Sequence, residues 1–320
     1  MRTSILAFFI LPVFVTAQDT FARGNKNNTA IDAAELNINS NILGTLFIPE
    51  GKTAVPLVIL LTGSGPNDRN GNSIMTRNDS HKQLAQALLA NGIATYRYDK
   101  RTFTQIKKRN IDPNTSFDNF VQDAQDVIYH FQKDNRFSSI ILAGHSQGSL
   151  VAMLAINSAI DGFISIAGPA ETIDKTIVRQ IAVQAPGLDK EAQAIFEKMK
   201  TQDKPVTDVQ PYLMSILNQE IQPFMKSWMV YDPLIEIKKL TVPVLLINGT
   251  RDRQVDPTDA QMLHDAKPDA QLLIINDMDH LFKRVGADDV VAAKSYSDPS
   301  FPLHEDLVPA LVNFVYGIKK

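Results

Sequence analysis

The chain contains no cysteine, carries no strong excess of charge of either sign, and has no long apolar run. The first absence excludes a disulfide framework, a Cys-based zinc site, an iron–sulfur cluster and a thiol nucleophile. Lys and Arg number 32 against 35 Asp and Glu, a formal net charge of −3, so nothing marks a nucleic-acid-binding surface. The longest apolar stretch, Ile5–Val15, is 11 residues and holds Pro12. A membrane span needs roughly 20 residues, so no stable membrane anchor is expected. What remains is 320 residues, 44% hydrophobic and 21% charged, a globular composition.

The N-terminus has the pattern of an export signal. Arg2 precedes the apolar run, and Val15-Thr16-Ala17 offers compact residues before polar Gln18-Asp19-Thr20. Residues 1–17 are therefore read as a signal peptide and 18–320 as the mature domain, periplasmic or secreted after cleavage near Ala17. The mature chain would lose one Arg and carry a net charge of −4. A domain of this size is stable on its core without disulfides. Residues 18–30 read as a polar lead-in.

Strand-length and helix-length segments alternate along the rest. Strands are expected at 43–48, 56–61, 93–98, 139–143, 163–167, 242–248 and 271–275. Helices are expected at 79–91, 117–135, 149–159, 257–265 and 305–316. Near-continuous Val/Ile/Leu strands separated by helices imply a parallel sheet covered on both faces. The rhythm breaks between Ala167 and Thr241, where only helical segments appear, punctuated by Pro186-Gly187, Pro205, Pro211 and Pro223. This is a helical insertion of about 65 residues, bounded near 171–235. Its Met225, Trp228 and Met229 are candidates for an apolar substrate pocket; the plainer role for each is helix-packing core.

Gly144-His145-Ser146-Gln147-Gly148 is a Gly-x-Ser-x-Gly motif. Alone it is a weak signal. Here a hydrophobic strand, Ile140–Ala143, precedes it and a small-residue helix follows, which is the setting a nucleophile elbow requires. Ser146 must take a strained turn for its hydroxyl to stand clear, and the two glycines let strand and helix approach. At a helix N-terminus the Gln147 N–H is a candidate donor to a developing oxyanion.

With this motif the sequence resembles the α/β-hydrolase superfamily, over nearly the whole mature chain. It is similar to the bacterial serine esterase/hydrolase branch with a Gly-Ser-Gly-Pro loop, here Leu61-Thr62-Gly63-Ser64-Gly65-Pro66, followed by Tyr98-Asp99-Lys100-Arg101. The resemblance implies an eight-stranded, mostly parallel sheet with helices on both faces and a helical lid after the sixth strand. Thr62 departs from the branch, in which many members have His before the Gly.

A serine nucleophile needs a base, and a carboxylate to orient that base. Of the six histidines, His130 lies in a helix, His81 and His264 lie in helices flanking strands, and His145 sits inside the elbow. His304 reads as a solvated residue at the start of the last helix. His280 follows a strand in a loop at the carboxyl edge of the sheet, where such sites assemble. Asp252, in the loop after Val244–Asn248, is the expected acid. Asp256-Pro257 reads as a helix cap, and Asp277 and Asp279 lie too close to His280. The order Ser146, Asp252, His280 is the order this fold uses. A second oxyanion donor is expected from the loop after Leu57–Leu61, at the Ser64 N–H, with Gly65 as the alternative. Asp68 and Arg69 could pin that loop by pairing; Asp99, Lys100 and Arg101 read as scaffold ion pairs. No His-x-x-x-His or Gly-x-Gly-x-x-Gly spacing occurs, so neither metal nor cofactor is expected.

The expected activity is hydrolysis of a small-molecule acyl ester by an exported serine hydrolase. A peptidase or acyl-peptide hydrolase of the same fold is the enzymatic alternative, and a non-catalytic binding module the alternative outside enzymology.

Overall fold

The structure, a computed structural model, describes residues 33–318. Residues 1–17, expected to be a signal peptide, and the polar lead-in at 18–30 lie outside the described residues. The elements run β1 (Ala33–Asn37), β2 (Leu43–Phe47), β3 (Val55–Leu61), α1 (Ser80–Ala90), β4 (Ala94–Tyr98), α2 (Arg101–Lys107), α3 (Phe117–Phe131), β5 (Phe137–His145), α4 (Gln147–Ala155) and β6 (Gly162–Ile166). The insertion follows as α5 (Ile173–Gln184), α6 (Asp189–Thr201), α7 (Met214–Leu217), α8 (Gln222–Met229) and α9 (Pro233–Glu236). The chain closes with β7 (Val244–Gly249), α10 (Pro257–Ala266), β8 (Gln271–Ile275), α11 (Asp289–Lys294) and α12 (Leu307–Gly317).

The eight strands form one sheet in the order β1-β2-β4-β3-β5-β6-β7-β8. β1–β2 and β2–β4 are antiparallel; every pairing from β4–β3 to β7–β8 is parallel. Period-two alternation divides the buried side chains between two cores. Leu57, Ile59 and Leu61 join the core under α3, α4 and the insertion, while Val58 and Leu60 join the core with Leu84 and Leu88 of α1 and Leu311 and Phe314 of α12. Burial on both faces explains why these strands read as unbroken aliphatic runs.

Three departures from the sequence expectation have local causes. β1, Ala-Ala-Glu-Leu-Asn, has little strand propensity and is held by its register on β2, from Ala33 opposite Phe47 to Asn37 opposite Leu43. α4 starts two residues early, directly after Ser146, and ends at Ala155 because Ile156 turns extended. His304 is not solvated. It is 4% exposed, its N–H donates to the Phe282 carbonyl at 2.7 Å, and its Nδ1 accepts from the Asp306 N–H at 3.2 Å. α12 begins only at Leu307, beyond that turn.

Candidate active site

Ser146 stands between β5 and α4 with φ 53° and ψ −121°, a conformation that a residue with a Cβ holds only when its surroundings enforce it. They do so through the two glycines. A Cβ on Gly144 would lie 2.3 Å from the Gly148 carbonyl oxygen, and one on Gly148 would lie 2.5 Å from the Leu61 carbonyl oxygen. The Ser146 N–H is fixed by the Ile166 carbonyl at 2.9 Å. The early start of α4 makes Gln147 its first residue, so the Gln147 N–H has no intrahelical acceptor.

β7 and β8 deliver the other two residues to the same edge of the sheet. His280 Nδ1–H donates to Asp252 Oδ2 at 2.7 Å, and both side chains are almost wholly buried. Asp252 Oδ1 accepts from the N–H groups of Gln254 and Val255 at 2.8 and 2.9 Å, which fixes its plane. With Nδ1 donating, His280 keeps Nε2 as the free acceptor, the tautomer a general base needs. Asp256 does cap α10, accepting from the Thr258 N–H at 2.9 Å. Asp279 locks the His280 loop instead of orienting the ring. Its Oδ1 accepts from the N–H groups of Leu281 and Lys283, and its Oδ2 from Ser295 Oγ. Asp277 takes φ 61° and faces Arg251 at 3.5 Å.

His145 docks the elbow against that loop, its Nε2–H donating to the His280 carbonyl at 2.9 Å. The His145 ring lies 4.7 Å from that of His280 and 5.3 Å from that of His81. Burial pushes His81 down to about 3, helped by Arg97, and holds His145 well below the usual histidine range. Both are neutral supports at neutral pH.

The loop from Thr62 to Asp79 faces the elbow, with Gly63 against Ser146: a Cβ on Gly63 would lie 3.1 Å from that of Ser146. Among the described residues, neither the Ser64 nor the Gln147 N–H donates to a protein acceptor. Asn67 Nδ2 donates to the carbonyls of Gly63 and Ser64 at 3.2 and 2.7 Å. Asp68 and Arg69 both pin the loop, but not to each other. Asp68 accepts from the Asn70 and Asn72 N–H groups, while Arg69 forms a two-pronged pair with Asp99 and reaches Glu35 at 2.7 Å. Arg101 pairs in the same two-pronged way with Asp123. Lys100 is the exception to the scaffold reading: among the described residues no carboxylate pairs with it, and its Nζ donates to Gly63 O at 2.6 Å and to Gln147 Oε1. Glu35 was not foreseen, because it sits on the strand that the sequence pattern did not reveal.

A cavity of about 20 Å³ opens beside Lys100, lined by Thr62, Tyr98, Phe120, Gly148 and Val151 among others. Met225 and Trp228 are both buried, and the Trp228 ring stacks on Phe117 of α3 at 5.2 Å and 11°. Met229 is half-buried and packs against the same core. Among the described residues, no group of His, Asp or Glu is arranged to hold a metal ion.

The sheet order, the elbow after β5 and the insertion after β6 define the α/β-hydrolase fold. Solved structures bear this out. Est1E from Butyrivibrio proteoclasticus superposes with a TM-score of 0.56 at 16% identity, covering 89% of this chain and 99% of its own. An esterase from Pyrococcus furiosus gives 0.55 at 16%, covering 93% and 97%. A puromycin-hydrolyzing peptidase from Mycobacterium tuberculosis gives 0.55 at 14%, covering 91% of this chain and 40% of its own. Residues 78–222 match the family model described as serine aminopeptidase, S33. Esterase EstD of Thermotoga maritima is 30% identical over 248 residues, 74% of this chain. The chain spans 57% of the length of that relative.

Proposed function

We propose that the protein is an exported serine hydrolase that cleaves carboxylic esters through an acyl-enzyme. The observation that carries this reading is the buried Asp252–His280 pair, held at the same edge of the sheet as a serine in a strained elbow. Ser146 Oγ attacks the acyl carbonyl while His280 Nε2 takes its proton. Asp252 holds the ring and stabilises the imidazolium. The N–H groups of Gln147 and Ser64 receive the oxyanion. The tetrahedral intermediate collapses, His280 returns the proton to the leaving alkoxide, and the acyl group stays on Ser146. Water, deprotonated by His280, then attacks the acyl-enzyme; the second tetrahedral intermediate collapses, His280 returns that proton to Ser146 Oγ, and the acid is released. The esterase name of the Thermotoga maritima relative supports an ester as substrate. The serine aminopeptidase model across residues 78–222 supports a second reading, a peptidase using the same residues.

A fluorophosphonate probe should label the purified protein, and Ser146→Ala should abolish both labelling and turnover, a loss of at least about 10³-fold. An unlabelled wild type would sink the enzyme reading. A series of p-nitrophenyl esters run beside aminoacyl p-nitroanilides separates the two substrate classes; faster turnover of the anilides would move the assignment to a peptidase. The leader at residues 1–17 supports export to the periplasm or medium. N-terminal sequencing of protein recovered from those fractions should begin near Gln18, and recovery of an intact Met1 in the cytoplasm would refute it.

A further inference from the structure

Lys100 is a buried amine that, among the described residues, pairs with no carboxylate. It follows β4 at the start of α2, is 7% exposed, and burial pushes its pKa down to about 7. The carboxylate nearest in the cavity lining, Asp123, is engaged by both prongs of Arg101. Burying an ammonium this way is destabilising unless its hydrogens are well used. Two are: Nζ donates to Gly63 O at 2.6 Å and to Gln147 Oε1, and it stands 4.6 Å over the Phe120 ring.

One acceptor is the carbonyl of the peptide that carries the Ser64 N–H, and the other is the side chain of Gln147; these are the two N–H groups that face the reacting carbonyl in the proposed mechanism. The Gly63 carbonyl and the Ser64 N–H are the two ends of one planar trans peptide, so fixing the oxygen fixes the direction of the N–H. A charge-assisted bond at the oxygen also polarises the amide and makes its N–H a stronger donor. At the other end, the Gln147 side chain is held while its backbone N–H opens α4.

We propose that Lys100 is a positioning residue of the oxyanion hole, one ammonium that ties the Ser64 peptide and the Gln147 residue into a single donor pair. The proposal rests on the serine hydrolase reading. Its consequence is selective. The tie contributes most where negative charge develops, so its loss acts on kcat and leaves ground-state binding nearly intact.

The test compares wild type with Lys100→Met, which keeps the length and removes the donor. Labelling of wild type by the fluorophosphonate comes first; without it the serine hydrolase reading itself fails. With labelled wild type, Lys100→Met is expected to lower kcat on the best p-nitrophenyl ester by about 10- to 100-fold, with KM within about threefold. Inhibition by an alkyl trifluoromethyl ketone, which forms an oxyanion adduct with the nucleophile, should weaken by the same factor. Lys100→Gln, which keeps an uncharged donor, should fall between the two. A kcat within twofold of wild type, or a loss confined to KM with ketone affinity unchanged, overturns the proposal and leaves the hydrolase reading standing. If Lys100→Met does not fold, Lys100→Gln and Asn67→Ala, which removes the other side-chain donor to Gly63 O, are judged by the same kcat and ketone criteria.

Discussion

The loop from Thr62 to Asp79, to which the proposed mechanism assigns an oxyanion donor, and the helical insertion border the same end of the sheet, and they are held in opposite ways. The loop from Thr62 to Asp79 is tied by directional bonds. Asn67, Asp68, Arg69, Asn72 and Asp79 each fix backbone or a partner side chain; Arg69 joins the loop to Glu35 of β1 and to Asp99 just after β4, and Arg97 of β4 donates to Asn70. The insertion is held mainly by apolar packing through Ile177, Ile195, Phe196, Met199, Leu217, Met225 and Trp228. Its polar ties to the rest of the fold include Arg179 on Asp259 at 2.7 Å, Gln180 on the Gln254 carbonyl, Ser227 Oγ accepting the Phe117 N–H and Tyr231 on Asp118, while Gln222 bridges the Val206 and Leu217 backbones within it. Directional bonds fix a peptide plane to within tenths of an ångström. Apolar packing fixes volume and tolerates substitution by residues of similar size. In the proposed mechanism, donor geometry would draw on the first kind of region and acyl-chain fit on the second.

Truncating the packing centre of the insertion gives the largest expected effect. Trp228 is 3% exposed and stacked on Phe117, and its ring also meets Phe224 at 6.0 Å. Trp228→Ala should destabilise the protein by about 3–5 kcal/mol, read from urea unfolding. The folded fraction should still react with a fluorophosphonate within about threefold of the wild-type rate, because no bond of the elbow or its loop runs through the indole. A variant that keeps its stability but loses reactivity would erase the distinction between the two regions.

The same contrast explains what the sequence disclosed. The elbow was legible because its requirement is steric: Gly144 and Gly148 stand where a Cβ would collide with backbone. Asp252 and His280 could be picked out because parallel β7 and β8 deliver their following loops to one edge, and the structure brings the two side chains together. The insertion was recognisable from its missing strands. The ties of the loop were not legible, because they depend on which charged residue meets which across the fold. Arg69 pairs with Asp99, 30 residues away, rather than with its neighbour Asp68, and Lys100 breaks the ion-pair pattern of Asp99 and Arg101. β1 stayed hidden because pairing, not propensity, makes it a strand, and it took Glu35 with it. His304 misled because its place before a helix suggests solvent, whereas the Phe282 carbonyl draws it inside.

A smaller effect sharpens the comparison through pH. Behind the elbow, His81 and His145 are buried neutral. A histidine whose folded pKa is depressed refuses a proton that the unfolded chain accepts below about 6.5. Stability therefore falls as pH drops below that point, by about 1.4 kcal/mol per unit for each such group. For His81 this continues to about 3. In the insertion the resolved carboxylate shift has a later window. Burial opposes ionisation of Asp174, but the Lys200 ammonium at 2.7 Å, together with hydrogen bonds from Thr172 and the Lys175 N–H, lowers the pKa, so that contribution is lost only as pH falls through 3.8 and below. Acid should loosen the elbow side first. Carboxylates raised by burial, such as Asp68 and Asp279, act in the opposite sense, and a difference measurement cancels them because both proteins carry them. Unfolding wild type and His81→Gln in urea at about pH 7 and about pH 5 isolates the histidine. The variant should gain about 2 kcal/mol relative to wild type across that interval. Parallel pH curves for the two proteins would show that the polar side carries no acid sensitivity through His81.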